Sequence, residues 1–346
     1  MTTLLQASPV TADILDALPN ATDPFALSLN ENPFAPLPAV HSALIHSIDA
    51  ANRYPEFLPE QLRTLVAAHI GVGDEQVVLG AGATGVAMQI LHALTRPGDR
   101  IVLGHPTFDG YPIIAQMAGL TVLNVPLDRH GHHDLAVMAE AAARARVVVL
   151  CRPHNPTGTV ESFADVQRFL RRVPDDTVVL LDEAYIEFVA PQHRIDGPEL
   201  VRRFPNVIVL RTFSKAYGLA GLRIGYGFGS PELVKVLWKM QLPFGIGITS
   251  LVAVAASYDA EDQLRQRILR INGERDYLRR RLRAIGVYST DSHANFVYLP
   301  SRGRLWREEF DATGLKARHY TDGVRITVGA RASTQAVLAA VGKSMA

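Results

Sequence analysis

The alternation of short apolar runs with helix-like segments constrains this chain of 346 residues more than any other feature. Seven runs rich in Val, Ile and Leu lie between residues 75 and 230, and segments with helical periodicity separate most of them. Unbroken apolar runs are typical of strands that are buried on both faces. We therefore predict an α/β fold whose mostly parallel seven-stranded sheet carries helices on both faces. The runs are QVVLG, RIVLG, LTVLNVPL, ARVVVLC, TVVLLDE, NVIVLRT and LRIGYGFG.

The segments on either side of this region differ in composition. The first ~35 residues are loop-like and run into the proline-rich stretch NENPFAPLP. After residue 260 a long arginine-rich helical segment precedes shorter strand and helix patterns, which indicates a smaller α+β unit. We therefore predict an N-terminal arm at 1–35, a large domain at 36–260 and a small C-terminal domain at 261–346.

Charge and cysteine content exclude several classes of protein. Thirty-five Lys and Arg residues against 34 Asp and Glu residues leave a net charge of +1, without the basic excess of nucleic-acid or membrane-surface binders. The single cysteine, Cys151, excludes an internal disulfide, and its position in a predicted buried strand indicates an unreactive thiol. We see no signal-peptide pattern and no run long enough to span a bilayer. We expect a soluble, cytoplasmic protein.

Polar or glycine-rich segments follow five of the predicted strands. Because the carboxyl ends of parallel strands meet at one edge of a sheet, and ligands of open α/β sheets bind there, we expect one site that combines these segments. In chain order the segments are GAGATG, HPTF, RPHNPTG, DEAY and FSK.

The first of these segments, Gly80–Gly85, matches the G-x-G-x-x-G pattern of dinucleotide-binding proteins. The next predicted strand does not end in the acidic residue that an NAD site requires, and the segment lacks the G-K-[ST] of a phosphate-binding P-loop. Two interpretations remain, namely a helix N-terminus that binds one phosphate and a tight turn required for packing. An NAD-dependent dehydrogenase stays as a further alternative.

Lys215 is the first of only five lysines in a chain that otherwise uses arginine for positive charge. A guanidinium stays protonated, whereas a lysine amine can lose its proton and attack a carbonyl. Although most lysines are solvated surface charges, we interpret Lys215 as a Schiff-base lysine. Arg223, eight residues later, offers a planar fork suited to a phosphate, and Thr212 and Ser214 offer hydroxyls.

Asp182 follows four apolar residues at the end of a predicted strand. It is either a capping carboxylate or the partner of a ring nitrogen, and a pyridoxal phosphate needs such a partner to keep its pyridine protonated. In the second case Asn155 and Tyr185 would hydrogen-bond the phenolic oxygen of the ring. Phe108 would stack on the ring face.

The histidine-rich segment Arg129–Asp134 offers several possible metal ligands. No matching second ligand pair is present in the sequence, so we predict an exposed polar loop and no metal site.

The segments RPHNPTG, DEAY and FSKAYGLAGLRIGY resemble, in order and spacing, the fold type I pyridoxal-phosphate aminotransferases. The similarity extends from about residue 25 to the end of the chain. It is strongest to the branch that contains the histidinol-phosphate aminotransferases and the aromatic (phenylalanine) aminotransferases. The further segments that match this branch are LSLNENPFAP, NRYP, HANFVYL and GVRITVG.

The resemblance implies pyridoxal 5'-phosphate as the cofactor and a role for each matching residue. Lys215 would be the Schiff-base lysine, Asp182 would bind the pyridine nitrogen, and Asn155 and Tyr185 would bind the phenolic oxygen. The phosphate would lie on Thr212, Ser214, Arg223 and the helix start at Ala83–Thr84. Tyr54 would reach the phosphate of a neighbouring subunit, so a homodimer is expected, and Arg325 would bind the substrate α-carboxylate.

The choice of substrate depends on departures from the family pattern. Histidinol-phosphate aminotransferases have polar side chains where this chain has Ala83, Thr84 and Gly85, although Arg318 would still supply one phosphate contact. An aromatic side chain needs only an apolar slot, for which we expect Phe34, Phe108 and Phe244 as walls. We therefore predict amino transfer between a Phe- or Tyr-type amino acid and a 2-oxo acid, with histidinol phosphate as the alternative substrate.

Overall fold

The computed structural model describes residues 17–343, and a seven-stranded sheet forms its centre. Each predicted apolar run contains one strand. The strand order is β1-β7-β6-β5-β4-β2-β3, in which only β7 runs antiparallel to its neighbours. The predicted mostly parallel sheet is thus confirmed. The strands are β1 (Val77–Ala81), β2 (Arg100–His105), β3 (Thr121–Pro126), β4 (Val147–Cys151), β5 (Val178–Asp182), β6 (Val207–Thr212) and β7 (Ile224–Gly229).

Helices cover both faces of this sheet, which explains why its strands are apolar throughout. Val148 and Leu150 of β4 belong to one hydrophobic cluster, whereas Val147 and Val149 belong to a second cluster on the opposite face. Alternate side chains of a strand point to opposite faces, so a doubly covered strand has no polar side. The helices of this part are α1 (Pro38–Ser47), α2 (Glu60–Ile70), α3 (Gly82–Leu94), α4 (Gly110–Met117), α5 (Leu135–Ala142), α6 (Phe163–Leu170), α7 (Gly197–Arg203), α8 (Pro231–Trp238) and α9 (Ile248–Asp259).

A smaller α+β unit follows, as predicted. Its antiparallel sheet has the order β8-β10-β9, and a third hydrophobic cluster lies between this sheet and the C-terminal helices. Its elements are α10 (Glu261–Ala284), β8 (Phe296–Pro300), α11 (Trp306–Asp311), β9 (Arg318–Tyr320), β10 (Gly323–Thr327) and α12 (Arg331–Lys343).

The long helix α10 contributes to the cores of both units. Leu264 and Ile271 in its first half pack into a core cluster of the large sheet, and Leu278 and Leu282 in its second half pack into the cluster of the small sheet. The predicted boundaries at residues 35 and 260 remain predictions, and residues 1–16 of the predicted arm lie outside the described residues. Within 17–343, no helix has both the length and the apolar character needed to cross a membrane.

Candidate active site

A cleft of about 380 Å³ lies where the carboxyl ends of β5 and β6 face β9 and β10. Polar groups converge in this mostly apolar cavity, which is the usual composition of a small-molecule site. Twelve of the residues predicted to bind cofactor or substrate line it. These are Ala83, Thr84, Phe108, Asn155, Asp182, Tyr185, Thr212, Ser214, Lys215, Arg223, Arg318 and Arg325.

Asp182 ends β5 at the base of the cleft and is only 6% exposed. Its Oδ2 accepts a hydrogen bond of 2.6 Å from the Tyr111 hydroxyl, and its Oδ1 accepts one of 3.0 Å from the Ala184 amide. Burial raises the pKa of the Asp182 carboxyl, and the hydrogen bonds of Tyr111 and Ala184 oppose this effect. The carboxylate is thereby held in one orientation, with Tyr111 as a partner that the sequence did not reveal.

Lys215 lies three residues after the end of β6 and lines the cleft, where its side chain contacts the N-terminal segment. Its Nζ donates a hydrogen bond of 3.0 Å to the Leu29 carbonyl. Burial, together with the nearby positive charge of Arg325, lowers the pKa of the Lys215 amine to about 8. An amine with this pKa is partly deprotonated near neutral pH and is therefore suited to nucleophilic attack on a carbonyl.

The hydroxyl of Tyr185 lies among amide side chains. It accepts hydrogen bonds from Asn30 Nδ2 at 2.9 Å and from Asn155 Nδ2 at 3.4 Å. Burial raises the pKa of the Tyr185 phenol above its usual value, so the hydroxyl stays protonated and remains a donor. The sequence segment NENPFAP contains Asn30, but nothing in that segment indicated that it contacts Tyr185.

Hydroxyls, a guanidinium and a helix start surround one end of the cleft. Thr212 Oγ1 donates to Ser214 Oγ at 3.0 Å, and Arg223 Nη1 donates to the same oxygen at 3.4 Å. The first backbone N–H groups of α3, which begins at Gly82, have no partner within the helix, and no side chain at the N-cap position binds them. A Cβ at Gly225 would lie 2.4 Å from the Ala83 nitrogen, so only glycine lets β7 pass beneath this turn. The arrangement is suited to a phosphate.

Arg325 is 5% exposed on β10 and reaches into the cleft from the small sheet. Its guanidinium donates to Asn155 Oδ1 and to the Ser28 carbonyl, each at 2.5 Å. Its Nε has no hydrogen-bond partner among residues 17–343. A buried guanidinium with a free N–H is available for a carboxylate.

The family model "Aminotransferase class I and II" matches residues 22–342. The chain belongs to the class I and II aminotransferases. The family is dependent on pyridoxal phosphate, so the predicted enzyme class is confirmed and the dehydrogenase alternative has no support.

Relatives with known names agree with both branches of the predicted resemblance. An aromatic amino acid aminotransferase of Cutibacterium acnes is 42% identical over 92% of each chain. One from Nocardia farcinica is 40% identical over 90% of this chain and 89% of its own. A crystal structure of histidinol-phosphate aminotransferase from Sinorhizobium meliloti in complex with pyridoxal-5'-phosphate superposes with a TM-score of 0.85 and 26% identity, covering 99% of this chain and 96% of that one. The predicted fold is confirmed.

Three predicted residues lie outside the cleft of this aminotransferase. Tyr54 is 84% exposed, and its ring packs against Phe244 at a centroid distance of 4.9 Å. The prediction that Phe34 and Phe244 form its walls is wrong, because neither residue lines the cleft. Phe244 packs against the exposed Tyr54, and the Arg270 guanidinium lies 4.4 Å from the centre of the Phe34 ring. Of the three predicted wall residues only Phe108 lines the cleft. The other apolar residues of the lining are Leu29, Ala83, Ala87, Ile114, Ala184, Leu210 and Ala220.

The histidine-rich segment is only partly the exposed loop that was predicted. His133 is buried, and its Nδ1 lies 2.9 Å from Glu161 Oε1. Its ring also packs against His154, with the two centroids 4.3 Å apart. Interaction with His133 lowers the pKa of the Glu161 carboxyl to about 2 in spite of burial. Through these contacts to His154 and Glu161, the segment packs against the turn that contains Asn155. Among the residues described here, no cluster could hold a metal ion.

Cys151 ends β4 beside Asp182, with which it is paired in register. It is buried in the lining of the cleft, and burial raises the pKa of its thiol well above the usual value. Since the thiolate is the reactive form, this environment is consistent with the predicted unreactive cysteine.

Proposed function

We propose that this chain is an aromatic amino acid aminotransferase that uses pyridoxal 5'-phosphate. The observation that carries the proposal is the placement of three features around one cleft: a lysine amine of lowered pKa, a buried carboxylate, and a cluster of hydroxyls, a guanidinium and an uncapped helix start. The similarity to the aminotransferases of Cutibacterium acnes and Nocardia farcinica, which bear this name, supports the same activity.

The side chains of the cleft fit the three polar parts of the cofactor. The uncapped start of α3, with Ser214 and Arg223, would bind the phosphate, and Asp182 would accept a hydrogen bond from the pyridine nitrogen. Tyr185 and Asn155 would donate to the phenolic oxygen. The bound cofactor supplies an electron sink for the bonds of the substrate Cα.

Two residues would act on the substrate itself. The Lys215 amine would hold the cofactor covalently until the substrate amine displaces it, and would then remove the proton from the substrate Cα. Arg325 would bind the α-carboxylate through its fork, since its guanidinium lines the cleft and its Nε has no hydrogen-bond partner among residues 17–343. Phe108 would pack against the cofactor ring and keep water from it.

An aromatic side chain fits this cleft better than histidinol phosphate does. Ala83 and Thr84 stand where histidinol-phosphate enzymes have more strongly polar side chains, and Phe108, Ile114 and Leu210 make much of the lining apolar. Among the cleft-lining residues that the structure describes, Arg318 is the cation to which no other role is assigned, and it is already paired with Asp109 at 2.8 Å.

Comparison of two substrate pairs tests this assignment. We expect kcat/KM for phenylpyruvate with glutamate to exceed that for histidinol phosphate with 2-oxoglutarate by at least about tenfold. A hundredfold advantage for histidinol phosphate, about 2.7 kcal/mol of transition-state discrimination, would overturn it.

We also propose that the enzyme is a cytoplasmic homodimer in which Tyr54 contacts the phosphate cradle of the neighbouring subunit. Tyr54 and Phe57 pack on Phe244 at centroid distances of 4.9 and 5.2 Å, and the three rings with Leu242 form an exposed apolar surface. Surfaces of this kind are typical of protein interfaces. Sedimentation velocity should show a dimer at nanomolar concentration, and Tyr54→Phe should weaken cofactor binding. A fully active monomer would contradict the proposal.

A further inference from the structure

An ion pair at the entrance of the cleft has no part in the chemistry described above. Asp109 Oδ2 lies 2.8 Å from Arg318 Nη2. Asp109 immediately precedes α4 of the large unit, whereas Arg318 lies on β9 of the small sheet, and both residues line the cleft. The pair therefore crosses the entrance from one unit to the other.

Arg318 faces the place where the far end of a substrate would lie. It is the cross-strand partner of Arg325, so the two side chains share one face of the small sheet. The Tyr320 ring lies 5.9 Å from each of the two guanidinium carbons. If Arg325 binds the α-carboxylate, Arg318 is the cation that would attract a carboxylate or phosphate on the side chain of the substrate.

Asp109 neutralises this cation. The hydrogen bond and the charge of Asp109, whose Oδ2 lies 2.8 Å from the guanidinium, raise the pKa of Arg318. An acidic substrate would have to displace Asp109 from Arg318 or lie beside its negative charge. An uncharged aromatic side chain has neither of these costs. The ion pair therefore disfavours acidic substrates without any contact to aromatic ones.

We propose that Asp109 is a specificity-determining residue of this enzyme, selecting uncharged aromatic side chains over side chains that end in a carboxylate or phosphate. The inference rests on the proposed function of the same cleft. The side chains of Asp109 and Arg318 are 46% and 48% exposed, and ion pairs at this exposure are weak and exchangeable. An acidic amino donor is therefore disfavoured but still able to react.

Asp109→Asn tests the proposal, because it keeps the shape of the side chain and removes its charge. With the holoenzyme, kcat/KM is measured separately for phenylalanine, glutamate and histidinol phosphate as amino donors. We expect the ratio of either acidic donor to phenylalanine to rise about fivefold or more, mainly through a lower KM for the acidic donor. Arg318→Gln should change the ratio in the opposite direction, and Asp109→Glu should restore values near those of wild type.

Glu140→Gln is the matched control, since Glu140 pairs with Arg172 at 3.6 Å on the surface and does not line the cleft. It removes the same charge and should leave the ratio unchanged. A ratio in Asp109→Asn within twofold of wild type, in an enzyme that uses phenylalanine, would overturn the role of Asp109. A wild-type enzyme without activity towards phenylalanine would instead contradict the proposed function, so the two failures are distinguishable.

Discussion

At the base of the cleft the polar side chains come from the ends of adjacent strands, whereas at its entrance they come from a turn and from a separate small sheet. Asp182 at the base is 6% exposed and is fixed by two hydrogen bonds. The Asp109 side chain at the entrance is 46% exposed and has one ionic partner. Loss of a partner is costly for a buried charge and inexpensive for a solvated one. The base is therefore suited to fixed chemistry, and the entrance to adjustable selectivity.

The largest effect should come from the base, with Lys215→Ala. Without the amine there is neither a covalent link to the cofactor nor a group to move the Cα proton, so we expect turnover to fall by about 10³-fold or more. Lys235→Ala on the exposed face of α8 is the control. Steady-state assays should separate the two variants, and a Lys215→Ala enzyme within tenfold of wild type would refute the assigned role.

Asp182→Asn should give the next largest effect. The amide cannot hold the pyridine nitrogen in its protonated form, so we expect turnover to fall by about 10²-fold, with a smaller change in cofactor affinity. Asp175→Asn, at an exposed position, controls for the loss of charge. Stopped-flow rates together with cofactor titration would check this prediction. Near-normal turnover of Asp182→Asn would show that Asp182 has only a structural role.

Tyr111→Phe should have a moderate effect at the same position. The Tyr111 hydrogen bond lowers the pKa of the Asp182 carboxyl, so its removal should raise that pKa. If activity requires ionised Asp182, the acidic limb of the pH–rate profile should move to higher pH, with about a threefold to tenfold loss of turnover. An unshifted profile would show that the cofactor alone keeps Asp182 ionised.

The smallest effect on turnover is expected at Glu187, which lies two residues after Tyr185 and which should instead affect stability. Burial raises the pKa of its carboxyl from 4.5 to about 7, and its Oε2 has no partner among the described residues. Between these two pH values the unfolded chain has lost a proton that the folded protein retains, so wild-type stability should fall as the pH rises. Glu187→Gln lacks this titration.

Thermal unfolding at pH 5 and pH 8 measures this difference between the two proteins. With these two pKa values, the stability of wild type relative to Glu187→Gln should decline by about 2.5 kcal/mol over this range. Parallel curves for the two proteins would show that Glu187 stays ionised in the folded state, and that the interior around Glu187 is less apolar than its packing indicates.

The sequence by itself determined the sheet and most of the base. Continuous apolar runs indicate strands covered on both faces, and the polar residues directly after such strands must meet at one edge. For this reason Asn155, Asp182 and Lys215 could be assigned to one cleft without coordinates. Their roles in holding the cofactor remain proposals, as does the domain division at residues 35 and 260.

Only the tertiary structure decided which residues from distant segments meet in the cleft. Asn30 reaches Tyr185 across 155 positions of sequence, and Asp109 meets Arg318 across the entrance. Phe34 and Phe244 lie outside the cleft, although aromatic side chains are well suited to line an apolar substrate slot. Local patterns fix strands and turns because these depend on neighbouring residues, whereas contacts between units depend on how cores pack together. The specificity proposed for Asp109 is therefore a property of packing that no local sequence pattern reveals.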